Sequence, residues 1–309
     1  MKVDAHLDDV TDRARAAFLG LAVGDALGAT VEFMQAGEIR AQYGVHREVI
    51  GGGWLHLKPG RVTDDTEMSL CLARAIDACG GWSARAAADR LVEWMRAGPV
   101  DIGSTCRAGI RRYMLDGTLE GRPNEWDAGN GAAMRMVPVA LATLGDDAAL
   151  RRVALEQAHL THNHVLSDAA SLLVGRLLHA ACLGRSLRQL RAIAEETADA
   201  HPRLRFDGWD GRASGYVVET LTAVLHSLFT TRSFEECVVG VVNYGGDADT
   251  TGAIAGAIAG AYYGPDEIPR RWLRKLDRSL VAEIGALSVR MVEIARLTPS
   301  AAAPASPRR

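Results

Sequence analysis

Gly20-Leu21-Ala22-Val23-Gly24-Asp25-Ala26-Leu27-Gly28 carries glycine at every fourth position. Gly252-Ala253-Ile254-Ala255-Gly256-Ala257-Ile258-Ala259-Gly260 repeats the pattern far along the chain. Residues four apart share one face of an α-helix. Each glycine costs a helix about 1 kcal/mol relative to alanine. A whole ridge of them makes sense where backbones must approach closely, so both segments read as tightly packed core helices. Both ridges also adjoin acidic residues, which close-packed backbones would hold rigidly.

Working outward, apolar residues recur at helical spacing over most of the chain. The pattern predicts helices at Arg13–Ala29, Met68–Cys79, Ala84–Met95, Thr105–Leu115, Ala132–Thr143, Ala148–Ala158 and Asp168–Leu183. It predicts further helices at Leu187–Asp199, Tyr216–Phe229, Phe234–Val242, Thr251–Tyr263, Pro269–Asp277 and Leu280–Leu297. Alternation at period two is scarce, with one extended or irregular piece expected at Glu48–Leu57. The fold class is all-α, and a compact multi-helix bundle is the natural architecture. No linker interrupts residues 1–297, so a single domain is expected, followed by a disordered tail at 298–309 rich in Ala, Pro and Ser.

Composition narrows the function classes. Among 309 residues, Lys+Arg is 35 against Asp+Glu 38, which argues against nucleic acid as the main partner. The five cysteines (Cys71, Cys79, Cys106, Cys182 and Cys237) are widely spaced and form no C-x-x-C pair. Neither a disulfide framework nor a thiolate zinc site is suggested, and reduced thiols fit a cytoplasmic setting. Met1–Asp12 is polar and lacks the apolar core of a signal peptide. The most apolar run, Gly252–Tyr263, is too short to span a bilayer.

Two acidic clusters stand where loops enter helices: Arg61-Val62-Thr63-Asp64-Asp65-Thr66-Glu67 and Asn243-Tyr244-Gly245-Gly246-Asp247-Ala248-Asp249-Thr250-Thr251. Helix capping explains either one alone, and Asp64 with Glu67 has capping-box spacing. A cap needs only one oxygen acceptor, however, and each cluster offers two carboxylates and a hydroxyl. Such hard oxygen donors suit Mg²⁺ or Mn²⁺. If the clusters meet in space, a two-metal site follows.

Other features carry two readings each. Gly129-Asn130-Gly131-Ala132-Ala133 is expected to open a helix whose free N–H groups suit a diphosphate. His159, His162 and His164 are either loop and capping residues or a zinc site, though they lack the usual helical zinc spacing. Tyr216 begins a helix and is either core or a stacking platform. Arg271, Arg274, Lys275 and Arg278 are expected on one helix face, either solvated or facing an acidic partner.

The ordered set of motifs resembles the ADP-ribosylglycohydrolase family. It comprises the first glycine ridge, Val62-Thr63-Asp64-Asp65-Thr66, Gly129-Asn130-Gly131-Ala132-Ala133-Met134-Arg135, Thr161-His162-Asn163-His164 and Gly245-Gly246-Asp247-Ala248-Asp249-Thr250-Thr251-Gly252. Thr30-Val31-Glu32-Phe33-Met34, Gly51-Gly52-Gly53-Trp54-Leu55, Pro99-Val100-Asp101-Ile102-Gly103 and Leu166-Ser167-Asp168-Ala169 resemble the family's nitrogenase-regulating branch.

The resemblance implies an all-α fold and two Mn²⁺ or Mg²⁺ ions on Thr63, Asp64, Asp65, Asp247, Asp249 and Thr250. It implies catalytic roles for Asp101 and Glu32, and substrate contacts from Gly103, Ser104, Asn130, Gly131, Ala132, Ala133, Met134, His162 and Tyr216. The implied reaction cleaves the N-glycosidic bond between ADP-ribose and an arginine of dinitrogenase reductase, restoring nitrogen fixation. The implied partners are a PII signalling protein and, through it, an ammonium transporter, with a cytoplasmic monomer reversibly drawn to the membrane. Relatives often carry Asn where this chain has the shorter Ser104, which unsettles any ribose contact there. Alternatives are a serine-linked or O-acetyl-ADP-ribose substrate, a non-catalytic ADP-ribose-binding module, and clusters that serve structure alone.

Overall fold

A computed structural model describes residues 2–297, and the expected tail at 298–309 lies outside them. Among the described residues, fourteen α-helices run in the order α1 (Lys2–Gly28), α2 (Ala36–Tyr43), α3 (Asp64–Cys79), α4 (Ala84–Arg96), α5 (Ser104–Asp116), α6 (Val137–Ala142) and α7 (Asp147–His159). They continue as α8 (Val165–Cys182), α9 (Leu187–Ala200), α10 (Val217–Thr230), α11 (Phe234–Val242), α12 (Ala248–Tyr263), α13 (Arg270–Leu273) and α14 (Arg278–Leu297). Among the described residues there are only isolated bridges and no sheet, as the periodicity predicted. Glu48–Leu57 is irregular, pinned by reciprocal N–H bonds between Gly52 and Leu57 of 2.8 and 2.9 Å.

The two glycine ridges pack against each other. Gly20 faces the carbonyl of Gly256, Gly24 that of Gly252, and Gly28 that of Ala248. The opposite order of the partners makes α1 and α12 antiparallel, and their contact is the most extensive between any two helices here. A methyl group at any of these glycines would stand far inside van der Waals distance of the facing carbonyl. Every residue of α12 from Ala248 to Ala261 is buried, as expected for a helix enclosed on all sides. The helices α3, α8, α11 and α14 pack around α1, while α8, α10 and α11 pack around α12.

Some sequence expectations shift. Helix α3 begins at Asp64 and α12 at Ala248, which puts both acidic clusters in first turns. Residues 131–135 are turns, and α6 starts only at Val137. The expected helix at Pro269–Asp277 contracts to the four residues of α13, and Arg278 opens α14. The basic residues there are therefore split between α13, the following turn and α14 rather than lying on one helix, and Arg271 is engaged by Glu48 and Glu235. Helix α2 was not expected at all. Helix α8 is long and apolar enough to cross a membrane, yet 78% of it is buried among its neighbours. The five cysteines are free, and only Cys79 is exposed.

Gly24→Ala is expected to destabilise the fold by about 2 kcal/mol or more, because the facing carbonyl cannot move without its helix. Gly37→Ala on α2, where nothing lies within 4 Å, is expected to be neutral or slightly stabilising. Denaturant melts of both variants check this, and equal stability would discount the ridge contact.

Candidate metal and substrate site

The closeness of α1 and α12 brings Asp25 beside the start of α12. Asp25 is fully buried and accepts from four donor groups, two N–H and two hydroxyl, at the start of α3. Thr63 donates through its N–H at 3.0 and 3.1 Å and through Oγ1 at 3.0 Å. Thr66 donates through its N–H at 3.2 Å and through Oγ1 at 2.5 Å. A carboxylate from another helix therefore caps α3. Sequence reasoning noticed Asp25 only as part of a motif, although its place inside the glycine ridge signalled a fixed position.

This cap releases the cluster's own side chains. Thr63, the N-cap residue, makes no side-chain capping bond. Asp64 Oδ2 accepts the Gly103 N–H at 3.2 Å, and Glu67 turns away to Arg61 and Trp94. At α12, Asp247 likewise makes no side-chain cap; its Oδ2 accepts from Asn130 Nδ2 at 2.6 Å. Capping alone thus fails to account for either cluster.

The clusters interlock. Thr63 Oγ1 lies 3.3 Å from Oδ2 of both Asp65 and Asp249, and Thr250 Oγ1 lies 3.3 Å from Asp65 Oδ2. Asp65 Oδ1 is buried without a hydrogen-bond partner. Glu32, Asp247 and Asp249 each present an oxygen within 4.8 Å of the others. Burial pushes Asp25 and Asp64 up to about 7 and Glu32 up to about 8, with neighbouring carboxylates adding to the rise at Asp64 and Glu32. Burial drives Asp65 and Asp249 well above the usual carboxylate range, and adjacent carboxylates push the same way. Crowded, desolvated carboxylates of this kind either hold protons or need cations among them. The all-oxygen donor set and the orphaned Asp65 oxygen fit a hard divalent metal.

Above the clusters lies a cleft of about 410 Å³. Its floor includes Glu32, Asp64, Asp101, Asp247, Asp249 and Thr250. Asp101 is half-buried and shifted upward by burial, while its Oδ1 accepts the Ile102 N–H at 2.8 Å. One wall carries Gly103, Ser104, Asn130, Gly131, Met134 and His162. Of the expected site residues, Thr63 and Asp65 lie beneath the floor, and Ala132 and Ala133 are buried behind the wall. Tyr216 does not line the cleft. It precedes α10, and its main chain pairs with Gly129 while Val217 N–H reaches the Ala128 carbonyl. The helix that starts at the cleft is α5, whose Ser104, Thr105 and Cys106 line it. The expected helix start at Ala132 is a turn instead, closed by the Met134 N–H on the Asn130 carbonyl at 3.0 Å.

The three histidines do not converge. His159 lies between Glu120 and Asp168, and His164 caps α8 by accepting the Leu166 N–H at 3.0 Å. Only His162 reaches the cleft. Its Nδ1 lies 2.7 Å from Thr161 Oγ1, which also accepts from the fully buried Arg135 at 2.7 Å. Arginine has only donors, so the Thr161 hydroxyl is free to donate to Nδ1. In the tautomer that accepts this bond at Nδ1, the ring proton sits on Nε2, which packs against Gly129 and Gly131. Burial, followed by the Arg135 charge, holds His162 down to about 3, so the ring is neutral at ordinary pH. Sequence reasoning missed both Arg135 and Thr161 as supports for this ring.

At the mouth stand Phe33 and Trp54, with ring centroids 5.4 Å apart. Trp54 Nε1 donates to Glu32 Oε2 at 2.6 Å. Phe33 has φ +63°, a left-handed conformation that costs an L-residue about 1–2 kcal/mol. Its N–H is held by the Gly246 carbonyl at 2.7 Å.

Residues 6–301 match the family described as ADP-ribosylglycohydrolase. The chain is 54% identical over 275 residues to the ADP-ribosyl-[dinitrogen reductase] glycohydrolase of Rhodospirillum rubrum, covering 89% of this chain and 94% of that protein. It is 31% identical over 291 residues to the ADP-ribosylarginine hydrolase Tri1 of Serratia proteamaculans, covering 86% of this chain and 75% of that one. A solved structure of an ADP-ribosylglycohydrolase-related protein complex superposes with a TM-score of 0.84 at 38% identity, covering 93% of this chain and 99% of that one. With matching motifs, an all-helical bundle and interlocked acidic clusters under a cleft, the chain belongs to the ADP-ribosylglycohydrolase family.

Proposed function

We propose that this protein hydrolyses the N-glycosidic bond between ADP-ribose and an arginine side chain, with ADP-ribosylated dinitrogenase reductase as the protein substrate. The observation that carries the reading is the interlock of Thr63, Asp65, Asp249 and Thr250 beneath an acidic cleft floor. The relative from Rhodospirillum rubrum supports the choice of protein substrate. Regulation through a PII signalling protein and an ammonium transporter, acting on a cytoplasmic monomer, extends the same likeness.

Thr63, Asp64, Asp65, Asp247, Asp249 and Thr250 would hold two Mn²⁺ or Mg²⁺ ions, with Glu32 at the Asp247–Asp249 side. Bound there, the metals supply positive charge that orients ribose hydroxyls and makes water a better nucleophile. The protein's own groups do the rest. The Asn130 amide is fixed by Asp247 and by Thr220 Oγ1 at 2.9 Å, which holds the Gly129–Met134 loop in place. The N–H groups opening α5 and the Nε2–H of His162 offer donors to the diphosphate and ribose. Asp101, at the floor and shifted upward, is placed to hand a proton to the departing guanidine or to take one from water. Ser104 lies exposed at the α5 start, where it lines the cleft.

Asp65→Asn and Asp249→Ala are each expected to lower release of ADP-ribose by about 100-fold or more. The assay incubates protein and Mn²⁺ with arginine- and serine-ADP-ribosylated proteins and measures free ADP-ribose. Release from arginine, lost on chelation, is the expected result. Undiminished turnover after metal stripping, or release from serine alone, would sink the proposal.

The carboxyls also predict a pH signature for the metal-free protein. Asp25, Asp64 and Glu32 rise from ordinary values of 3.8 to 4.5 up to about 7 to 8 on folding. The native state then binds protons that the unfolded chain has released. This stabilising contribution is fully present below about pH 4 and is lost as the pH rises through 7 to 8. Metal competes with those protons, so the rise in Tm on adding Mn²⁺ is expected to be larger at pH 8 than at pH 5.5. An equal or absent rise at both pH values would count against a metal among these groups.

A further inference from the structure

The cleft lining combines two chemistries. Glu32, Asp101 and Asp247 crowd the floor, whereas the Asn130–Met134 wall and His162 offer uncharged donors. A diphosphate belongs with the donors, and a cationic leaving group belongs with the carboxylates. Beside Glu32 stand the two rings of Phe33 and Trp54. Both line the cleft, and they are 63% and 49% exposed. Neither packs against the hydrophobic core. Folding therefore gains little from them, yet the backbone holds Phe33 in a left-handed conformation that presents its ring at the mouth. Gly53, with φ +66° and no room for a side chain against the Ala29 carbonyl, sets the turn that presents Trp54. The Trp54 bond to Glu32 fixes carboxylate and ring as one unit.

An arginine guanidinium is planar and cationic. It stacks on aromatic faces and pairs with carboxylates at the same time. A serine-linked or acetyl-linked leaving group has neither property. We propose that Phe33 and Trp54 form an aromatic shelf that receives the guanidinium of the modified arginine at the mouth of the cleft. The shelf reads the leaving group and leaves the ADP-ribose half to the uncharged donors of Asn130–Met134 and His162. The inference rests on the arginine reading above.

The test uses Phe33→Gly, which keeps the positive φ without strain, and Phe33→Tyr, which keeps a ring. Two quantities are measured: KM for release from an ADP-ribosylarginine peptide in Mn²⁺, and Kd for free ADP-ribose by calorimetry. Phe33→Gly is expected to raise KM about 10-fold while Kd stays within about 2-fold, and Phe33→Tyr to restore KM. Unchanged KM in Phe33→Gly, or an equal loss of ADP-ribose affinity, would overturn the shelf while leaving the arginine reading intact. No release from the arginine peptide by the unaltered protein would overturn both.

Discussion

The carbonyls of α12 press directly on the glycines of α1, and the positions of the site's carboxylates follow from that contact. Because Gly28 meets the Ala248 carbonyl, the end of α1 and the start of α12 lie side by side. Asp25 and Asp249 are then neighbours in space although more than two hundred residues separate them. No flexible side chain intervenes that could adjust the spacing. Protein interiors of this density transmit small displacements rather than absorbing them. The glycine ridges thus give up helix propensity for positional accuracy at one end of the helix pair.

Asp25 converts that accuracy into a second arrangement. By accepting N–H and hydroxyl groups from Thr63 and Thr66, it holds the start of α3 without using the cluster's own carboxylates. Asp64 remains available to the cleft, and Asp65, beneath its floor, keeps Oδ1 without a hydrogen-bond partner. The arrangement crowds acidic groups in a desolvated space, and their upward shifts record the cost. A divalent cation relieves that repulsion more fully than protons do at neutral pH.

The wall that carries His162 works by a different chemistry. Arg135 is buried without a carboxylate partner and is satisfied by Gln157, Thr161 and the Cys106 sulfur. Burial first, and the Arg135 charge second, keep His162 neutral, and the Arg135 donor bond leaves the Thr161 hydroxyl proton free for Nδ1. A cleft with carboxylates below, neutral donors on one wall and rings at the mouth matches a ligand with three regions. Those regions are a ribose, a diphosphate and a planar cation.

By itself, the sequence determined the fold class, the two acidic clusters and the closeness of packing at the glycine ridges. Each of these is local, because periodicity, glycine spacing and runs of oxygen donors are properties of neighbouring residues. Even the start of α12 at the second cluster was nearly legible, since Asp and Thr favour helix starts. Only the tertiary structure decided that the ridges face each other, that Asp25 caps α3 and that Arg135 supports His162. It also decided that Gly131–Arg135 stays a turn, that Tyr216 pairs with Gly129 ahead of α10 and that the basic residues after Pro269 are split between two helices and the turn joining them. These outcomes depend on partners distant in sequence. A hydrogen bond from Thr66 to Asp25, or a carbonyl set against Gly24, leaves no trace in the spacing of the residues that flank either one.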